Sequence, residues 1–322
     1  MKTFYLAPVG IDAALTSVSL GLVRALEQLG IKAGFVKPIA DTFYAGKDAD
    51  RSRLFANALF SIHPPEPLHI DHAEKLLGSG QADQLMEEVV TLFQLAAADN
   101  DVVIVEGIAE QRGKPAISRL NVDIARNLQA NVILVVSADQ TTPWDIAEQL
   151  EITVQQYSGF GKTNFAGFIL SKTSAAFTPE TAEISLKPYS RLIATGKLPF
   201  LGAIPFQNAL AAPRMSDVAD HLKCEVLVNA NLQESRVYDF MVASRSVEYI
   251  AGRLRAGCLI ITAGDRDDII LATALAVIRG IPIAGILLTN NFAPKETIRA
   301  LCAQTFTGKI PILLTEHTTY DT

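Results

Sequence analysis

The sequence predicts an α/β protein, with a doubly wound, mainly parallel sheet in a first domain and a smaller α/β domain behind it. Three observations carry this. Runs of Val, Ile and Leu recur without polar alternation, which marks parallel strands covered on both faces. Stretches of helical length separate them, and such alternation implies right-handed crossovers in one sheet. The chain has 322 residues, about twice the roughly 150 of one domain.

The first strand is Phe4 to Val9, followed by a glycine turn and a helix from Leu15 to Leu29 that Gly30 ends. Ala33 to Pro38 is the second strand. Asp101 to Glu106, Asn131 to Val136 and Phe165 to Ser171 read as three more. Thr173 to Lys197 is polar, with prolines, and reads as a helix pair or an insertion. Leu201 to Pro205 is the last strand of this domain, placed at residues 1–207, and Asn208 to Pro213 reads as a linker. The second domain, 214–322, carries strands at Cys258 to Thr262, Ile283 to Thr289 and Ile310 to Leu314. Helices lie between them at Arg266 to Arg279 and Pro294 to Phe306. There is no internal repeat.

Composition excludes several classes. Hydrophobic residues make up 49% and charged residues 19%, so a disordered chain is excluded. The formal charge is −6 without a basic cluster, which argues against nucleic acid. No apolar run reaches the roughly 18 residues of a membrane span, and the first residues lack the pattern of a signal peptide. Cys224, Cys258 and Cys302 stand far apart. They fit small core residues in a reducing cytoplasm, and no metal spacing emerges from them or from His63, His69, His72, His221 and His317. No nucleophile elbow is present. Trp144 is expected to start a helix and to pack.

The first turn carries the chemistry. A working P-loop reads G-x-x-x-x-G-K-[ST] between a strand and a helix, its N–H groups cradling phosphate, its lysine neutralising it and its hydroxyl holding Mg²⁺. Here that slot reads Gly10-Ile11-Asp12-Ala13-Ala14-Leu15-Thr16, followed by Ser17. Gly10 and Thr16 match. Ala14 replaces a glycine and Leu15 replaces the lysine. The Ala14 Cβ penalises a left-handed backbone, Leu15 removes a positive charge beside any triphosphate, and Asp12 adds a negative one. Phosphoryl transfer depends on neutralising developing charge, so nucleotide hydrolysis is not expected. The turn is either an ordinary strand–helix junction or a residual anion site at the helix N-terminus. Lys37 closes the second strand and Glu106 a later one, near the carboxyl edge where sheet ligands collect. Lys37 either reaches that crevice or is solvated. Glu106 either marks a Mg²⁺ position or caps a turn.

Pro8 to Gly21, Phe35 to Ile39 and Val105-Glu106-Gly107 resemble the dethiobiotin synthetase-like domain that opens long bacterial phosphate acetyltransferases. Arg255 to Arg266, Ser235 to Val237, Ala243 to Val247 and Ile286 to Thr289 resemble the DRTGG domain that follows it in those proteins. The resemblance covers essentially the whole chain. It implies a front region without the acyltransferase domain. In the parent, acetyl-CoA and phosphate would interconvert with acetyl phosphate and CoA. It further implies self-association and control by small molecules of the NADH and pyruvate type. No cofactor or metal is expected on this piece. Where the pattern wants Thr-Gly-Gly the chain has Thr289-Asn290-Asn291, and Asn tolerates the left-handed backbone.

In the second domain Asp265 is expected to cap the helix that carries Asp267 and Asp268 in its first turn. Arg266 is either unremarkable there or grips an anion or a partner's carboxylate. Asp265, Arg266 and Thr289 are thus candidate regulatory positions, with the turns at Gly264 and Asn290-Asn291 expected side by side. The apolar helix Ile269 to Ile278 is a candidate interface. Three functions remain open: a non-catalytic regulatory region of a phosphate acetyltransferase, a free-standing metabolite-binding protein, and an ATP-dependent ligase.

Overall fold

The computed structural model describes residues 1–40, 50–60, 62–110, 115–159, 163–174, 177–303 and 308–322. The chain divides into two compact units, Met1–Phe206 and Gln207–Thr322.

The first unit runs β1 (Lys2–Val9), α1 (Leu15–Gln28), β2 (Ala33–Val36), α2 (Arg51–Leu59), α3 (Ile70–Gly78), α4 (Ala82–Ala97), β3 (Val102–Glu106), α5 (Pro115–Asn127), β4 (Asn131–Ser137), α6 (Pro143–Ser158), β5 (Phe165–Thr173), α7 (Pro179–Leu186), α8 (Arg191–Ala194) and β6 (Phe200–Pro205). Its sheet has the order β2-β3-β1-β4-β5-β6, with every pairing parallel. Successive side chains of β1 go to opposite faces. Tyr5, Ala7 and Val9 join the core under α3 to α6, while Leu6 joins Val18, Val23 and Phe35 under α1. Both faces are apolar, which is why the strands showed no alternation. The polar stretch after Thr173 resolves into the short helices α7 and α8.

The second unit runs α9 (Asn208–Ala211), α10 (Met215–His221), β7 (Glu225–Val228), β8 (Asp239–Val242), α11 (Val247–Ile250), a 3-10 turn (Ala251–Arg253), β9 (Cys258–Ala263), α12 (Asp267–Ile278), β10 (Gly285–Thr289), α13 (Glu296–Leu301) and β11 (Ile312–Leu314). The sheet order is β7-β11-β10-β9-β8, parallel except for β7 against β11. Two edge strands, β7 and β8, were not expected, and residues 208–211 are helical where a linker was read. The helix expected to reach Phe306 is α13, and residues 304–306 of that expectation lie outside the described residues. Among the described residues no helix is long and apolar enough to cross a membrane. No group of three or more His, Cys, Asp and Glu among them is placed to hold a metal.

Candidate functional site

The turn between β1 and α1 keeps the backbone of a phosphate cradle. Gly10 has φ 72° and Ala14, at the N-cap of α1, has φ 55° and ψ 39°. Ala14 therefore holds the left-handed conformation that glycine occupies in a working loop, against its Cβ. The loop is tied down from β5. The Ser171 hydroxyl donates to the carbonyls of Ala13 (2.8 Å) and Val136 (3.3 Å), and Lys172 pairs with Asp12. Leu15 does not face a ligand. It is buried in the core under α1, with Val18, Ile133 and Ile169. Its expected place beside a phosphate is thus corrected: the helix phase turns residue 15 inward, together with Val18. Ser17 is exposed on the helix surface.

Thr16, Lys37 and Glu106 do come together, with two residues the sequence reading missed. Lys37 Nζ lies 3.2 Å from Glu106 Oε1 and 3.3 Å from Asp50 Oδ2. It donates to Ser52 Oγ at 3.4 Å. The Thr16 hydroxyl donates to Glu106 Oε1 at 2.9 Å and the Ser52 hydroxyl does so at 2.7 Å. The side chains of Lys37, Asp50 and Glu106 are 3%, 5% and 1% exposed. Lys37 is therefore neither solvated nor open to a crevice ligand, and Glu106 does not cap a turn. Each position has a local cause. Glu106 ends β3, whose following turn is fixed by Asn121 of α5. That amide accepts from Ile108 N–H at 2.8 Å, donates to the Ile108 carbonyl at 2.9 Å, and accepts from the buried Tyr5 hydroxyl at 2.6 Å. Asp50 is the N-cap of α2, taking Arg53 N–H at 3.1 Å with its other oxygen, the usual task of Asp at that position. An acid before a helix, downstream of β2, was the available signal for it. Ser52, two residues on, carried none.

Beside the loop opens a cleft of about 520 Å³ whose lining includes Gly10, Asp12, Glu110, Ser118, Asp139 and Gln149. Its charged lining residues are the three carboxylates. Burial pushes the Glu110 carboxyl above its ordinary value, opposed by hydrogen bonds from the Ser118 hydroxyl and the Gly10 N–H. Trp144 starts α6 behind a Thr142–Asp145 capping box but is half exposed, not packed.

A fit to Mg²⁺ and nucleotide fails on both counts. The phosphate side offers a buried leucine beside a cleft whose charged lining is carboxylate, and the oxygens that suit a divalent cation already surround an ammonium group.

In the second unit the turns after β9 and β10 do lie side by side. A Cβ on Gly264 would stand 1.4 Å from the carbonyl oxygen of Phe292, so only glycine allows this approach. Asn290 and Asn291 take φ 61° and 54°, keeping the turn without glycine. Their N–H groups donate to the carbonyls of His317 and Thr315, both at 2.9 Å. Thr289 is fully buried, 2.8 Å from the Thr319 hydroxyl. The N-cap of α12 is Arg266, not Asp265, which is exposed. Arg266 is spent internally. It forms a two-pronged pair with Asp268 at 2.9 Å and donates to the carbonyls of Ser244 (2.9 Å) and Arg245 (2.8 Å). This pair offsets a cation at the positive helix end and holds the Asp268 carboxyl below its ordinary value. No external anion is needed to satisfy it. Helix α12 buries Ile269, Ile270 and Ala274 and leaves Leu275 and Ile278 exposed.

Residues 2–214 match the family described as AAA domain, and residues 217–322 the DRTGG domain. The chain is 38% identical over 329 residues to phosphate acetyltransferase of Pseudomonas aeruginosa, covering 100% of this chain and 47% of that protein. Phosphate acetyltransferase of Nitrosomonas europaea is 37% identical (100% and 46%), and that of Escherichia coli strain K12 is 32% identical (100% and 47%). The chain thus spans about half the length of the curated relatives it matches. Among solved structures it is distantly similar to the nucleotide-binding protein in complex with ADP from Archaeoglobus fulgidus. There the TM-score is 0.40 at 14% identity, over 65% of this chain and 84% of that one. A second likeness is to the CBS and DRTGG domains of the regulatory region of Clostridium perfringens pyrophosphatase, complexed with diadenosine tetraphosphate. Its TM-score is 0.29 at 18% identity, over 35% of this chain and 45% of that one. The chain belongs to the AAA-domain family over residues 2–214 and carries a DRTGG domain over 217–322, the pair being similar from end to end to about half of a phosphate acetyltransferase.

Proposed function

We propose that this chain is a regulatory and assembly region of a cytoplasmic phosphate acetyltransferase, without catalytic work of its own. The observation that carries the reading is the end-to-end similarity to about half of such enzymes, joined to a phosphate cradle in which Leu15 is core. In this reading the parent interconverts acetyl-CoA plus phosphate with acetyl phosphate plus CoA. Residues 1–207 form a P-loop-like domain that does not hydrolyse nucleotide, and 214–322 form the regulatory domain around Asp265, Arg266 and Thr289, with the exposed Leu275 and Ile278 of α12 as its candidate interface. Arg266 there acts as an internal clamp between α12 and the Ser244-Arg245 segment. Small metabolites of the NADH and pyruvate type are the effectors, and the chain self-associates.

The test is direct. The purified chain, given acetyl-CoA and phosphate, is expected to form no acetyl phosphate, and given Mg-ATP to release no phosphate. Light scattering is expected to give more than one copy per particle. Sustained acetyl phosphate formation, or ATP turnover through the loop, overturns the reading.

A further inference from the structure

In a P-loop the hydroxyl that follows the lysine and an acid at a neighbouring strand end hold the divalent cation that accompanies the phosphates. The corresponding oxygens of this chain already surround a cation. Glu106 Oε1, Asp50 Oδ2 and Ser52 Oγ stand 3.2, 3.3 and 3.4 Å from Lys37 Nζ, and Thr16 Oγ1 is hydrogen-bonded to the same Glu106 oxygen. We propose that Lys37 is the resident cation of this site. Its ammonium group stands in for the divalent ion and ties α1, α2 and β3 together without any nucleotide.

The geometry makes the two occupants exclusive. A Mg²⁺ ion needs oxygens at about 2.0–2.1 Å in near-octahedral array. An ion meeting that demand from Thr16, Asp50 and Glu106 would lie close against Nζ, since the same oxygens are within 3.3 Å of it or bonded to one that is. Two like charges at such a distance, shielded from water, repel strongly. The lysine would have to leave, and its side chain is 3% exposed. The carboxylates cannot do without a cation either. Two of them converge with their side chains 5% and 1% exposed, and buried carboxylates persist only when paired. A divalent ion would satisfy them equally well, so the site is latent and the lysine masks it.

The test uses the full chain and Mn²⁺ as the probe, read by loss of the free-ion signal in electron paramagnetic resonance. The wild-type chain is expected to bind no Mn²⁺ up to millimolar concentration. Lys37→Ala, which leaves the oxygens and opens space, is expected to bind one Mn²⁺ at least tenfold more tightly, with Mg²⁺ in competition. Adding Glu106→Gln to that variant should remove the binding. Lys37→Ala should also melt well below wild type, and Mg²⁺ should raise its melting temperature while leaving that of wild type unchanged. Lys37→Gln, which keeps the stem and loses the charge, repeats the measurement in a less disruptive background. Wild-type chain that binds one Mn²⁺ as tightly as Lys37→Ala overturns the proposal. So do lysine variants that fold yet neither bind Mn²⁺ nor gain stability from it.

Discussion

Restoring the missing lysine is expected to damage the protein instead of reviving it. Leu15 is 7% exposed within the core under α1. Burying a leucine contributes about 1.5–3 kcal/mol, and Leu15→Lys forfeits most of this while placing a charge against Val18 and Ile133. The lysine stem recovers part by lying along the helix while its head seeks water. Adding the cost of a partly buried charge brings the net loss to about 2–4 kcal/mol. In a unit of this size 1 kcal/mol moves the melting temperature by about 2–4 °C, so the variant should melt about 5–15 °C lower. Thermal unfolding followed by circular dichroism, with and without Mg-ATP, measures it. A variant that melts within about 2 °C of wild type and gains stability from Mg-ATP would show that residue 15 faces a phosphate site.

Three further changes probe other parts of the argument. Ala14→Gly should stabilise the first unit by about 0.5–1 kcal/mol, because glycine accepts φ 55° without the Cβ penalty and loses somewhat more chain entropy; an unchanged or lowered denaturant midpoint would contradict the strained cap. Gly264→Ala should cost the second unit about 3 kcal/mol, since its Cβ meets the Phe292 carbonyl at 1.4 Å and backbone has to move, which chemical denaturation of the full chain reads. Glu110 carries a raised carboxyl pKa whose leading cause is burial, so the folded state holds its proton more tightly than the unfolded chain. That contribution is fully present below the ordinary carboxylate range and is lost as pH rises from there through the folded value. Glu110→Gln should accordingly melt higher than wild type at pH 7 and lose that advantage at pH 3, and a constant difference across pH would refute it.

The parallel sheet of the first unit was legible because five of its strands are buried on both faces, leaving unbroken Val, Ile and Leu runs. The second sheet was half legible. Strands β10 and β11 are buried throughout and β9 up to its last residue, whereas β7 and β8 are four-residue edges with half-exposed residues such as Phe240 and Val242. An edge strand needs no continuous apolar run and leaves little pattern. At the site, Thr16 and Glu106 were found because each occupies a fixed place relative to a strand end. Asp50 and Ser52 reach the same point from a separate helix, and pairing across such a gap leaves no periodicity. The direction of Leu15 was written in the sequence. Leu15, Val18 and Leu22 stand at the spacing of one helix face, and that phase outranks the loop motif in deciding where residue 15 points.

The charges of the first unit also decide where a metabolite can bind. A working cradle presents excess positive charge to its ligand. Here Lys37 faces two carboxylates, Lys172 is matched by Asp12, and the cleft beside the loop adds Glu110 and Asp139. Attraction from the N-terminus of α1 amounts to about 0.3–1 kcal/mol, while one unmatched carboxylate 4 Å from an anion opposes it by about 4 kcal/mol at an effective dielectric constant of 20. Repulsion wins, so an effector of the NADH or pyruvate type should avoid this crevice. Hydrogen exchange of the full chain with NADH and with pyruvate is then expected to show protection outside residues 10–18 and 106–110. Slowed exchange in those two segments, abolished by Lys172→Ala, would mean that the loop still attracts anions and that counting its carboxylates misjudges the field.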